Sequence, residues 1–103
     1  MELGGHAPFL VLEDADVEKA AQFGAAAKYR NAGQVCTSPS RFYVHKSVIK
    51  EFTERMIAGA KAVKVGNGLE ATTTMGPLAT SRQRERAERL VEDARKKGAV
   101  VAT

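Results

Sequence analysis

Two side chains near the start of this sequence could act together on a carbonyl group: the carboxylate of Glu2 and the thiol of Cys36, which stand thirty-four residues apart. Glu2 opens Glu2-Leu3-Gly4-Gly5, and Cys36 closes Asn31-Ala32-Gly33-Gln34-Val35-Cys36. Each reactive group therefore sits beside glycines, which let backbone approach closely. A base and a nucleophile are what covalent catalysis needs. Taken by residue type alone, both have plainer roles, since a glutamate near a chain start is ordinarily solvated and a free cysteine ordinarily serves as a small core residue.

The elements between and after the pair follow from patterning. Ala7-Pro8-Phe9-Leu10-Val11-Leu12 is apolar at successive positions and reads as a strand covered on both faces. Asp14 or Asp16 can cap a helix running from about Ala15 to Asn31, with Val17, Ala20, Ala21, Gly24 and Ala27 as its inner stripe. Gly24 lowers helix propensity by roughly 1 kcal/mol against Ala, so close packing against a neighbour is the expected compensation. The helix runs out at Asn31-Ala32-Gly33 and delivers Cys36 at a helix-to-loop junction, with Pro39 preventing a simple continuation.

Arg41-Phe42-Tyr43-Val44-His45 alternates like a strand. Ser47 then offers a cap for a second helix with Ile49, Phe52, Met56, Ala60 and Val63 on one side. After the glycine-bearing connection from Gly66 to Gly76-Pro77, Thr80 and Gln83 have capping-box spacing for a third helix expected to bury Ala87, Leu90, Val91 and Ala94. Gly98 ends it, and Ala99-Val100-Val101-Ala102 reads as a further strand. The alternation implies an α/β class with a partial three-layer parallel sheet and flanking helices. Such a sheet looks unfinished at residue 103, so the chain is expected to be part of a larger protein.

The composition, with 44% hydrophobic and 27% charged residues, describes a globular chain able to form a core. A net charge of +4 mixes sixteen basic with twelve acidic residues and decides little about partners. The single cysteine and the lack of a basic, apolar leader lead to the expectation of a reducing, cytoplasmic setting. No apolar run approaches the roughly 20 residues of a membrane span.

Gly66-Asn67-Gly68-Leu69-Glu70-Ala71 has dinucleotide-fingerprint spacing but precedes three threonines instead of opening a helix, so it reads as a turn. The run Arg82, Arg84, Arg86, Arg89, Arg95, Lys96 and Lys97 could face phosphates. Glu85, Glu88, Glu92 and Asp93 interleave with it, which favours a solvated face over nucleic-acid binding. His6 and His45 lack partners at metal-ligand spacing.

Taken as whole motifs, Glu2-Leu3-Gly4-Gly5 and Gly33-Gln34-Val35-Cys36 at this separation resemble the aldehyde dehydrogenase superfamily. The resemblance extends over essentially the whole chain, through Asp14-Ala15-Asp16, Arg41-Phe42-Tyr43-Val44, Lys64-Val65-Gly66-Asn67-Gly68, Gly76-Pro77-Leu78 and Gly98-Ala99. It implies that Cys36 is the nucleophile toward an aldehyde substrate, its backbone N–H and an asparagine outside this sequence holding the oxyanion. By the same resemblance NAD or NADP takes the hydride, Glu2 activates the water that hydrolyses the thioester, and the Leu3 carbonyl receives the nicotinamide carboxamide.

Tyr29-Arg30-Asn31 resembles the semialdehyde-oxidising branch, in which the arginine six residues before the cysteine, here Arg30, pairs with a substrate carboxylate such as that of succinate semialdehyde. A helix-surface arginine is an equally ordinary reading. Ser38 stands where some members of that branch carry a second cysteine, and His6 departs from the residues usual after the two glycines. The resemblance places residues 1–103 in the N-terminal part of the catalytic domain, with the cofactor-binding domain outside. It implies an inactive isolated chain and a homo-oligomeric parent, dimer or tetramer. The interleaved charges of the basic run and the lack of a long apolar stretch lead to the expectation of no nucleic-acid or membrane partner. The competing class is a basic interaction module for an anionic partner.

Overall fold

The computed structural model describes residues 5–103, so Glu2 and Leu3 lie outside the described residues. The first strand, β1 (Ala7–Val11), is followed by helix α1 (Val17–Tyr29), strand β2 (Pro39–Val44) and helix α2 (Ile49–Lys61), with helix α3 (Ser81–Lys96) last. The two strands pair in parallel, with Phe9 opposite Phe42 and Val11 opposite Val44. Parallel strands need a crossover, and α1 supplies it. The expected α/β class, with parallel strands and flanking helices, is what these elements form.

Burial alternates along β1. Phe9 and Val11 turn toward the helices, while Leu10 remains 65% exposed. The strand is thus covered on one face, not on both as its continuous apolar run suggested. An alternating side-chain direction makes each apolar residue inward or outward by parity, and among the described residues no layer covers the outward face.

Helix α1 begins where Asp16 accepts a hydrogen bond from the Lys19 backbone N–H at 3.0 Å. That bond, with the Lys19 ammonium at 3.0 Å, holds the Asp16 carboxyl below its ordinary range, and the same side-chain contact raises Lys19. Of the expected inner stripe, Ala21 and Gly24 are buried, Val17, Ala20 and Ala27 are half-buried, and Ala25 joins them. A Cβ at Gly24 would stand 3.1 Å from Phe42 Cε1 and 3.2 Å from Met56 Sδ, so the close packing that offsets its poor helix propensity is present.

The core gathers Val11, Ala21 and Phe52, with Phe9, Phe42, Val44 and Met56 packed around them. Phe9, Phe42 and Phe52 form a tilted aromatic cluster with centroids 5.2 to 6.4 Å apart, a geometry that suits the ring quadrupoles. Across the outer rim, Arg55 bridges Glu18 of α1 at 3.5 Å and Glu51 of α2 at 2.9 Å.

Three further expectations are not met. Ser47 does not cap α2: Val48 occupies the cap position without a side-chain bond, and the Ser47 hydroxyl instead lies 2.7 Å from His45 Nδ1. Helix α3 buries none of its residues. Leu90 is 61% and Val91 55% exposed. Residues 99–102 form no strand. Periodicity marks which side of α3 is apolar, but burial needs an opposing surface that the described residues lack.

The local signals of α3 are nevertheless in place. Thr80 Oγ1 accepts the Gln83 N–H at 3.3 Å, and Gly98 adopts φ +93° beyond the last turn. Ion pairs three and four residues apart, including Arg84 with Glu88 and Lys97 with Asp93, offset much of the helix's positive charge internally. With residues 81–103 exposed throughout, the radius of gyration is 15.0 Å, above the roughly 13 Å expected for a compact chain this long.

Candidate active site

The loop that leaves α1 carries both Arg30 and Cys36. Arg30 ends the helix, its backbone N–H still bonded to Ala26 O, and its own ψ of 126° turns the chain out of the helical path. Asn31, Ala32 and Gly33 then adopt φ of 50°, 55° and 76° in succession. Gly33 tolerates that region freely, and asparagine enters it more readily than most residues. Ala32 has no such excuse, and left-handed backbone costs an L-residue about 1–2 kcal/mol.

Hydrogen bonds hold this reversal. The Gln34 N–H donates to Asn31 O at 3.1 Å while the Asn31 side-chain amide donates to Gln34 O at 3.3 Å. A second turn follows at once, with the Ser38 N–H donating to Val35 O at 2.9 Å. Cys36 sits on that second turn with its side chain exposed. An exposed thiol on a braced turn is available to an electrophile, whereas a buried one would be inert packing.

Beneath the turn, Ser38 is 9% exposed and its Oγ finds no hydrogen-bond partner among the described residues. At the loop's base, the Lys28 ammonium donates to Pro39 O at 2.9 Å, joining the end of α1 to the start of β2. Gly33 fits tightly here, because a Cβ on it would lie 3.1 Å from Lys28 O. Behind the loop, a groove of about 620 Å³ runs from Ala32 past Val65, Met75 and Leu78 to Arg84 and Ala87 of α3.

Of the residues singled out in the sequence, Arg30 and Cys36 thus share one loop, and both are exposed. Glu2 and Leu3 lie outside the described residues. The Gly66–Gly68 segment is a turn, as expected: Asn67 Oδ1 accepts the Leu69 N–H at 3.1 Å, Gly66 N donates to Met75 O, and no helix begins there. It offers no helix N-terminus to a pyrophosphate, so this segment does not form the phosphate-binding turn of a dinucleotide fingerprint. His45 faces Ser47 and, at 3.7 Å, Glu13, and no cluster of metal-ligating side chains occurs among the described residues. None of the described helices is long and apolar enough to cross a membrane.

Residue types did not reveal the left-handed course of Asn31 and Ala32 or the Lys28 contact. The Asn-Ala-Gly string was a partial signal for the first, since asparagine and glycine favour positive φ. The second had none beyond a lysine in the last turn of a helix.

Comparison with known proteins covers the same residues. A model of the aldehyde dehydrogenase family matches residues 1–103. A mitochondrial aldehyde dehydrogenase of Leishmania tarentolae is 48% identical across the whole chain, which covers 21% of that relative. A glutarate-semialdehyde dehydrogenase of Pseudomonas putida is 45% identical over 98% of the chain and 21% of its own length. Among solved structures, betaine aldehyde dehydrogenase of Staphylococcus aureus in complex with NAD+ superposes with a TM-score of 0.90 at 37% identity, covering 99% of this chain and 20% of that one. The chain therefore spans about a fifth of the length of the relatives it matches.

Proposed function

The chain belongs to the aldehyde dehydrogenase family, and from that premise we propose that it supplies the nucleophile segment of an enzyme oxidising an aldehyde to a carboxylic acid with NAD or NADP. The observation that carries this reading is the exposed Cys36 on a braced turn, within a chain that aligns end to end with such enzymes.

In this reading the Cys36 thiolate adds to the aldehyde carbon, forming a C–S bond and moving the carbonyl electron pair onto oxygen. The Cys36 backbone N–H faces that oxyanion, with an asparagine from another part of the full-length enzyme. A nicotinamide dinucleotide, when bound, supplies the hydride acceptor that turns the thiohemiacetal into a thioester. Glu2 then takes a proton from water, which adds to the thioester carbon; the C–S bond breaks, and the thiolate and a carboxylic acid are released.

Leu3 contributes its backbone carbonyl to the nicotinamide carboxamide. The phosphate-binding elements belong to regions outside this chain, so the isolated 103 residues are inactive. The parent enzyme assembles as a homodimer or homotetramer.

Arg30 is the substrate anchor. Its planar guanidinium, exposed on the same loop as Cys36, suits bidentate pairing with a carboxylate. The preferred substrate is accordingly an aldehyde with a carboxylate at its far end, such as succinate or glutarate semialdehyde. The exposed basic residues of α3 do not favour the competing reading of an anion-binding module, because ion pairs with Glu88, Glu92 and Asp93 occupy Arg84, Arg95, Lys96 and Lys97.

The test places this chain in the matching position of the Pseudomonas putida glutarate-semialdehyde dehydrogenase and follows cofactor reduction with both semialdehydes and with an uncharged aldehyde. Cys36→Ala is expected to abolish reduction. Arg30→Met is expected to raise KM for the semialdehydes at least tenfold and leave the uncharged aldehyde within about twofold, a charged hydrogen-bonded pair contributing about 1.5–3 kcal/mol. Retained activity in Cys36→Ala would rule the mechanism out.

A further inference from the structure

We propose that Lys28 is a positioning residue for Cys36, an inference that rests on reading Cys36 as the nucleophile. Lys28 lies in the last turn of α1, and its ammonium goes not to a carboxylate but to the backbone oxygen of Pro39, 2.9 Å away and partly buried. Lys28 and Pro39 are the two residues flanking the segment 29–38. One charge-assisted hydrogen bond therefore closes the loop that carries the thiol at its base.

Both ends of this clamp are themselves fixed. Pro39 is buried and starts β2 opposite Ala7. The Lys28 backbone oxygen is the atom nearest the space beside Gly33, where a Cβ would stand 3.1 Å away, so the ammonium of this residue holds the loop's base while its carbonyl bounds the space beside the left-handed turn. Between these points the loop is held by short-range turns from Asn31 to Gln34 and from Val35 to Ser38. Such turns keep the loop's shape but not its tilt relative to the sheet, and the tilt decides where the thiol points. Attack on a carbonyl carbon tolerates little misplacement, with a shift of about 1 Å able to cost on the order of a hundredfold in rate.

Two measurements test this. In the full chain, amide hydrogen exchange is compared for wild type, Lys28→Met and Lys28→Arg. Lys28→Met is expected to accelerate exchange of residues 31–38 about tenfold with α2 unchanged, and Lys28→Arg to restore it, since a guanidinium can donate to the same carbonyl. Equal exchange in Lys28→Met overturns the proposal, and so does acceleration spread evenly through α2, which marks a general packing role.

In the chimeric dehydrogenase, Lys28→Met is expected to lower kcat about tenfold while KM for aldehyde and cofactor stays within about twofold, with most of the loss recovered in Lys28→Arg. An unchanged kcat, or a loss expressed only in KM, overturns it. Cys36→Ala separates the two layers: if that variant stays active, the reading of Cys36 has failed, whereas an inactive Cys36→Ala beside an unaffected Lys28→Met leaves the reading standing and removes the clamp.

Discussion

Helices α2 and α3 are both amphipathic, and they are stabilised in different ways. Helix α2 inserts Phe52, 4% exposed, into the aromatic cluster between β1, β2 and α1. Helix α3 has an apolar stripe of similar design, yet it is held by Thr80 at its start, Gly98 at its end and ion pairs along its flank. Sequence signals for a helix and sequence signals for a core are therefore separable. The first are satisfied within a few residues, while the second require a partner surface. In a chain spanning about a fifth of its relatives, the region from β1 to α2 contains its own partner surfaces and α3 does not.

The contrast can be broken most severely at Phe52. Phe52→Ala removes the ring contacts to Phe9 and Phe42 and leaves a cavity, for an expected cost of about 3–5 kcal/mol. Denaturant unfolding followed by circular dichroism should show cooperative loss of the β1 to α2 unit at much lower denaturant. A midpoint close to wild type would mean that this cluster is not the core.

A smaller and more local effect is expected at Thr80. Thr80→Ala removes the acceptor for the Gln83 N–H and should cost about 1 kcal/mol, the usual range for a helix cap. Hydrogen exchange should show it in α3 alone. An equal loss of protection in α2 would mean that the two helices are coupled after all.

The smallest effect is expected at Leu90. Its side chain is 61% exposed, so Leu90→Ala should move stability by no more than about 0.5 kcal/mol. A loss of 2 kcal/mol or more, on the scale of a buried leucine, measured in the same unfolding experiment would show that a surface covers α3 in solution.

The same division explains what could be read from the amino acids. An aspartate cap on α1, realised by Asp16 where Asp14 was an equal candidate, the close packing at Gly24, and the parallel order around α1 were legible because each rests on local chemistry or on a periodicity with its partner inside the chain. The burial of Ala87, Leu90, Val91 and Ala94 and the strand at Ala99–Ala102 failed for the opposite reason. Ser47 shows a third kind of miss: its hydroxyl had two possible partners, and His45, two residues back, won over the helix N-terminus.

In the candidate site, the placement of Cys36 on a turn after α1 was legible from Asn31, Gly33 and Pro39. The course of the backbone through Ala32 was not, since alanine ordinarily signals the right-handed helix. Glu2 and Leu3 lie outside the described residues, so their relation to the thiol rests on the motif they share with the family.

The reversal at Asn31, Ala32 and Gly33, with φ of 50°, 55° and 76°, follows the conformational hand of mirror-image amino acids. At Ala32, D-alanine would occupy its own preferred region, and the penalty of about 1–2 kcal/mol borne by the natural enantiomer would disappear. The turn behind the thiol thus has a chirality of its own, opposite to that of the helix that leads into it.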